Sequence, residues 1–257
     1  MTESSTPNVT VREYLAEVSS RLDALALDAE NGGFDAAIDL MVDAIDSGCV
    51  IQAFGTGHSE AFAMEIAGRA GGLIPTNKIA LRDIVIRGSQ NADILTGSSL
   101  ERDPAVVDEL FSVSTINPGD LFMIASNSGV NGSIVGLALL AKSHGHKVIA
   151  VTSLEHTMRV EPKHPSGKRL SEIADVVIDN RAPFGDSTLE LLGGVPVGAV
   201  SSITAAFIAQ LLTIGTARAI ALTGKTPPLY ISANIPGGDD HNRSLEDLYK
   251  NKIRRSA

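Results

Sequence analysis

The chain has no tryptophan, and aromatic residues make up only 4% of it. Its core must therefore be built from Ala, Val, Ile and Leu, the composition of a parallel sheet covered by helices on both faces. A single cysteine, Cys49, rules out an intrachain disulfide. Placed at the start of an apolar run, it reads as a buried, inert thiol. Positive charge is scarce: 21 Lys and Arg against 30 Asp and Glu give a formal net charge of -9. That balance argues against nucleic acid as a partner, and any anion site must be local, without help from a general basic field. There is no H-E-x-x-H and no cysteine cluster. His144 and His146 stand one residue apart at a helix end, a poor geometry for one metal, so no metal and no cofactor is expected. No G-x-G-x-x-G follows the first apolar run, because Glu60, Ala61 and Phe62 come after Ser59, which excludes the usual dinucleotide fingerprint.

Two further absences bear on location. Met1 to Val9 is polar and lacks the apolar core of a signal peptide, so a cytoplasmic location is the default. The longest apolar segment, Val195 to Leu222, carries Ser201, Ser202, Thr204, Gln210, Thr213, Thr216 and Arg218. A spanning helix of ~20 residues rarely holds so many polar groups, so it reads as a buried helix partly covered by another subunit, not as a membrane segment.

What is present is 257 residues, 44% of them hydrophobic, enough for one α/β domain with a real core. Residues 1–9 read as a loose tail. Val11 to Ala29 has helical spacing, with Tyr14, Val18, Leu22 and Leu25 on one face. Asn31-Gly32-Gly33 breaks it, and Phe34 to Ile45 resumes a helix. Strands are expected at 49–54, 79–86, 121–125, 147–152 and 176–178. Helices are expected at 59–71, 104–112, 132–144, 170–174 and 196–222. Residues 87–103, 153–168 and 180–188 read as loops. A last helix follows Gly237-Gly238-Asp239-Asp240, with Ser244 as its cap and Asp247 three residues on. The fold class is α/β: a three-layer α/β/α sandwich on a five-stranded parallel sheet, with an N-terminal helical hairpin. It forms one domain over 1–257, divided into the hairpin (10–46), the α/β core (47–222) and a C-terminal tail and helix (223–257).

Two small, hydroxyl-bearing loops carry the chemistry. Gly55-Thr56-Gly57-His58-Ser59 directly follows the apolar run 49–54, and Ser126-Asn127-Ser128-Gly129 directly follows 120–125. A strand that ends in Gly and Ser and turns into a helix offers free main-chain N–H groups and the positive end of the helix dipole, which suits a phosphate. Two such loops in one α/β domain point to one phosphorylated ligand at the ends of neighbouring strands. Ser59, Ser126 and Ser128 also suit helix N-caps, but two serines in one four-residue loop exceed what one cap needs.

At these loops, supported by Ala150-Val151-Thr152-Ser153 after the next strand, the chain resembles the SIS (sugar isomerase) family. The order of elements matches from about residue 10 to 222. The single-domain size and long N-terminal helices look like the phosphoheptose-isomerase branch, and Gly237-Gly238-Asp239-Asp240-His241-Asn242 looks like a bacterial group within it. The resemblance implies a flavodoxin-like SIS fold and a sugar phosphate held by Gly57, His58, Ser59, Ser126, Asn127 and Ser128, with Thr152 and Ser153 lining the same pocket. Phosphoheptose isomerases show Ser-x-Ser-Gly-Asn-Ser, whereas this chain reads Ser-Asn-Ser-Gly-Val-Asn-Gly-Ser. Asn131 or Ser133 then stands in for the displaced hydroxyl. It also implies a homodimer or homotetramer.

Aldose–ketose isomerisation needs a base that carries a proton between adjacent carbons of the opened sugar. Glu65, among apolar neighbours, suits that task if burial raises its pKa. The bland reading is a surface glutamate paired with Arg69 at i+4. Glu60 is the rival. His241 could open the ring or relay a proton, and a solvent-exposed loop histidine is its plain alternative. His156, Lys163, His164, Lys168 and Arg169 read as a solvated charge run in preference to a cationic lid. The leading expectation is a phosphosugar isomerase with Glu65 as base and His241 assisting. The rivals are a non-catalytic sugar-phosphate sensor or adaptor, and a lyase that cleaves an ether substituent from an amino-sugar phosphate.

Overall fold

Side chains along the central strands alternate between two apolar cores, and that alternation sets the layers. The structure, a computed structural model, describes residues 11–254 except Leu192; the expected tail at 1–9 lies outside the described residues. Strands β1 (Ile51–Gly55), β3 (Leu121–Ala125) and β4 (Lys147–Thr152) send Ile51, Ala53, Leu121, Met123, Ile149 and Val151 to one face. Phe54, Phe122, Ile124, Val148 and Ala150 go to the other. Because neither face can meet water, helices cover both. With β2 (Thr76–Ile79) and β5 (Val176–Asp179) the sheet has five strands in the order β2-β1-β3-β4-β5, every neighbouring pair parallel.

On the first face lie α1 (Val11–Glu30), α2 (Asp35–Asp46), α3 (Glu60–Ile66) and α9 (Ser201–Leu222). On the second lie α4 (Asp83–Ile86), α6 (Val106–Val113) and α7 (Gly132–Ser143). This is the expected three-layer α/β/α sandwich with its N-terminal helical hairpin. Of the α1 face anticipated from spacing, only Leu25 is buried, while the Tyr14 hydroxyl donates to the Ala199 carbonyl at 2.6 Å. Helix α9 is long and apolar enough to cross a membrane, yet Ala205, Ile208, Ala209, Leu212 and Ile220 belong to the first core.

The segment 79–86 is not a strand. β2 ends at Ile79, and the Asp83 carboxylate accepts from the Ala80 N–H at 3.1 Å, which turns the chain into α4. The strand lies earlier because its polar residues are paired: the Thr76 hydroxyl donates to Leu73 O, and Asn77 bonds the main chain of Lys252 and Arg254. The long helix starts at 201, not 196. Before it, β6 (Ser187–Leu191) and β7 (Val195–Ala199) form an antiparallel hairpin around Gly193 and Gly194, both at positive φ; such a glycine pair between apolar residues is a hairpin signal. The helix expected at 59–71 stops at Ile66, where Ala67 turns extended and Gly68 takes a φ of +75. Helix α10 (Gly238–Glu246) begins at Gly238, so Ser244 is interior and donates to His241 O rather than capping. Residues 87–103 hold a one-turn helix, α5 (Ser99–Arg102), and 153–168 holds α8 (Leu154–Thr157).

At the lower edge of the sheet, fully buried Asp120 accepts from Val50 N, Gln52 Nε2 and Asn117 N at 2.8–2.9 Å, fixing the starts of β1 and β3 against each other. At the upper edge Gly55 pairs with Ala125. From there β1 leads outward to β2 on one side and β3 to β4 on the other, the switch in strand order at which ligands of open α/β sheets bind. The four residues after Gly55 fold back over it. A side chain at 55 would place its Cβ 2.2 Å from Ser59 O and 2.6 Å from Ser59 C. Gly55→Ala should therefore force the 56–59 loop to move and destabilise the fold by about 1–3 kcal/mol. Urea unfolding of the pure variant measures this; unchanged stability would mean that the loop is not pinned to the strand.

Candidate functional site

The loop after β1 makes a single 3-10 turn, Gly57–Ser59, entered through Gly57 at a φ of +56. The Ser59 N–H donates to Thr56 O at 3.1 Å. Ser59 stands at the start of α3 without a side-chain capping bond, and its hydroxyl has no partner among the described residues. The loop after β3 is held more firmly. The Ser126 hydroxyl accepts from Gly129 N at 3.1 Å. Asn127 Oδ1 accepts from Asn180 Nδ2, and Asn127 O accepts from the Thr152 hydroxyl and Ser153 N. These bonds leave the main-chain N–H groups of Asn127 and Ser128 without protein acceptors among the described residues. Asn131 stands before α7 with no capping bond, and its buried Oδ1 has no partner among the described residues.

The two loops meet in a cavity of about 250 Å³ lined by Thr56, Gly57, His58, Ser59, Glu101, Ser126, Asn127, Ser128, Asn131 and His156. Seven of the expected binding residues are thus brought together: Gly57, His58, Ser59, Ser126, Asn127, Ser128 and Asn131. A smaller pit beside it, between Ser59, Phe62 and Asn180, is closed by Ser201 and Ser202 at the start of α9. Among the described residues, no Lys or Arg lines either hollow. An anion there is met by hydroxyls, main-chain N–H groups and imidazoles. Among the described residues, no group of three His, Cys, Asp or Glu is placed to hold a metal ion.

The other expected residues lie outside the cavity lining. The buried Ser133 hydroxyl donates to Glu101 O at 2.7 Å. Thr152 steadies Asn127. Ser153 caps α8 by accepting from His156 N at 3.0 Å, while its hydroxyl donates to Ala182 O at 2.6 Å. Glu65, near the lower end of α3, pairs with Arg69 and accepts from Gln210 Nε2 of α9 at 2.6 Å. It lies six residues beyond Ser59, about 9 Å along a helix axis. Glu60 is bonded to Lys78 and Arg82. His241 sits on α10, its Nε2 3.0 Å from Leu229 O. That tail packs through Tyr230 and Tyr249 on Val50 and Ile74, at the starts of β1 and β2. The cavity lies beyond the opposite ends of the strands, and β1 alone spans about 16 Å. Within one chain, His241 and this cavity thus lie towards opposite ends of the sheet.

Two residues of the cavity lie in segments read as plain loops. Glu101, on α5, accepts from the Thr56 hydroxyl at 3.2 Å, and its carboxylate lies against Gly57, where a Cβ would come within 3.2 Å of Oε1. Its backbone is set by α7. A Cβ on Gly132 would lie 2.1 Å from Arg102 O, and Ser133 holds Glu101 O. Nothing in the spacing of 87–103 announces this contact, because α7 supplies it from 30 residues away. His156, expected in a solvated charge run, instead faces the cavity from α8. Its Nδ1 accepts from Gly185 N at 3.0 Å. Burial holds its pKa below the ordinary histidine value, aided by Lys163 and opposed by Asp186 and Glu155. The one sequence signal for its position is Ser153, a capping residue directly after a strand.

A SIS domain model matches residues 13–153. A UPF0309 protein of Geobacillus sp. (strain WCH70) is 34% identical over 244 residues, covering 95% of this chain and 97% of the relative. One of Listeria monocytogenes serovar 1/2a is 39% identical over 219 residues, covering 84% and 88%. Among solved structures, a phosphoheptose isomerase from Francisella tularensis aligns with a TM-score of 0.49 at 16% identity, covering 80% of this chain and 98% of that one. Matched by the domain model over more than half of its length, and by relatives over nearly all of it, the chain belongs to the SIS domain family.

Proposed function

We propose that the chain is a sugar-phosphate isomerase of the aldose–ketose type. The observation that carries this reading is the meeting, in one cavity, of two serine hydroxyls without protein partners among the described residues and an ionisable pair. Ser59 and Ser128 supply the hydroxyls; Glu101 and His156 supply the pair. The phosphate sits on Ser59, Ser128 and the free N–H groups of Asn127 and Ser128, with Ser126 shaping the turn. The opened sugar then extends towards Glu101 and the unpaired Asn131 Oδ1. Glu101 takes the proton from the carbon next to the carbonyl and returns it to the neighbouring carbon. In a single chain it is the carboxylate of the cavity, the part that sequence reading gave to Glu65.

The test is incubation in heavy water with a panel of aldose, ketose and amino-sugar phosphates. The expected result is deuterium at the carbon next to the carbonyl. Glu101→Gln should lower that incorporation about a hundredfold or more with little change in ligand affinity. Ser128→Ala should weaken affinity about tenfold instead. If Glu65→Gln loses exchange while Glu101→Gln keeps it, the proton-moving group is the one in α3. Release of an acid from an ether-substituted sugar would make the protein a lyase, and binding without exchange a sensor.

We also propose that two copies pair through α9. Ile214 and Leu222 are 61% and 78% exposed, and they border an apolar groove of about 540 Å³ between α9 and the α1–α2 hairpin. Light scattering at micromolar concentration should give a dimer or a dimer of dimers. Ile214→Asp should shift it towards monomer, because a charge in an apolar interface is not solvated. A monomeric wild type overturns the pairing and with it any shared role for His241.

A further inference from the structure

Two described histidines accept a main-chain N–H on Nδ1, His164 from Ser166 and His156 from Gly185, and of the two it is His156 that lines the cavity. Its main-chain N–H is tied to the Ser153 hydroxyl, and its Nδ1 accepts from the Gly185 N–H at 3.0 Å. Its ring lies 5.2 Å from that of Phe184, whose face is covered by the Arg159 guanidinium at 5.3 Å. A ring nitrogen that accepts an N–H bond carries no proton of its own, so the proton of a neutral imidazole stands on Nε2. That atom has no protein partner among the described residues, and the residue lines the same cavity as Ser128 and Glu101.

We propose that His156 is a catalytic residue: a neutral imidazole whose Nε2–H polarises the substrate carbonyl and passes the hydroxyl proton from one sugar oxygen to the other. The inference rests on the isomerase reading above and names a group for the half of the reaction that Glu101 does not perform. As Glu101 takes the C2 proton, the C–H pair becomes the C1–C2 double bond and the carbonyl pair moves to O1. O1 takes the proton from Nε2, and the O2 hydroxyl proton replaces it there as the C2 carbonyl forms. Glu101 then gives its proton to C1. Proton and electron pairs balance, and the imidazole ends as it began. A neutral imidazole can serve as such an electrophile where a charged one would lose its accepting nitrogen.

The surroundings favour the neutral form. Burial disfavours the imidazolium most, and Lys163 disfavours it too. Asp186 and Glu155 act the other way, and the net direction is downward. Glu101 and His58 line the same cavity, and Arg159 stands over the Phe184 ring. A folded pKa below the unfolded one means that charging His156 opposes the native state. The loss of activity on acidification should therefore have its midpoint below about 6.5, the ordinary histidine value.

The experiment combines imidazole 15N NMR with exchange kinetics. In the full-length protein, His156 should show the Nε2–H tautomer at pH 7 and remain more than half neutral at about pH 6.5. Its Nε2 signal should move on addition of phospho-arabinonohydroxamate, a mimic of the enediolate. His156→Phe should lower kcat for deuterium exchange about a hundredfold or more with KM nearly unchanged. His156→Gln, which keeps an amide donor but cannot relay a proton, should fall between. A merely structural role would lower the melting temperature and raise KM in both variants without separating them. A charged His156 at pH 7, an Nδ1–H tautomer, or full exchange in His156→Phe overturns the proposal and leaves the isomerase reading standing. No exchange in the wild type with any sugar phosphate overturns both.

Discussion

The site depends on a backbone approach that only glycine allows. At Gly55 the chain leaves β1 and doubles back so closely that the carbonyl of Ser59 occupies the space of a side chain. Every later position follows from this. Ser59 is placed at the head of α3 next to the end of β3, and Thr56 faces Glu101. The opposing constraint is Asp120, which ties the starts of β1 and β3 from below. With the two central strands aligned at both ends, the loops that leave them cannot drift apart. The ligand crevice is thus a property of strand register as much as of loop sequence.

The sheet was readable in the sequence wherever burial is uniformly apolar. β3 and β4 were placed to the residue because 121–125 and 147–152 are continuous apolar runs bounded by turns. β2 was misplaced because its polar Thr76 and Asn77 are satisfied by distant or irregular backbone, including the C-terminal tail. A pattern of apolar residues cannot report that. The β6–β7 hairpin was absorbed into the helix that follows. Its residues are half exposed, and it is held from outside by Tyr14 and by Asp186, which accepts from the Ser201 N–H and hydroxyl. Here the glycine pair was the better guide than hydrophobicity.

The candidate site was legible in part for a similar reason. The Gly/Ser loops announce themselves, since their chemistry is local to four or five residues. Ser133, Thr152 and Ser153, expected to touch the ligand, instead stand one layer behind the cavity: Ser133 on Glu101, Thr152 on Asn127, Ser153 on His156. Glu101 and His156 were missed because their approach is decided by segments far along the chain, Gly132 in one case and Gly185 in the other. Close packing against a backbone has no local signature beyond the glycine that permits it.

The bond that fixes Glu101 has one more consequence. Ser133 grips the main-chain carbonyl of residue 101, and Gly132 receives the backbone of Arg102. Neither contact involves the side chain at 101. The scaffold therefore delivers whatever side chain stands there to the mouth of the cavity, with its position settled by atoms common to every amino acid. In an evolving lineage such a position is a socket. A substitution there would leave that main-chain grip intact and remove only what the carboxylate reaches, the Thr56 hydroxyl and the edge of Gly57, so the acid of the cavity can change by a single codon while the fold beneath it stands.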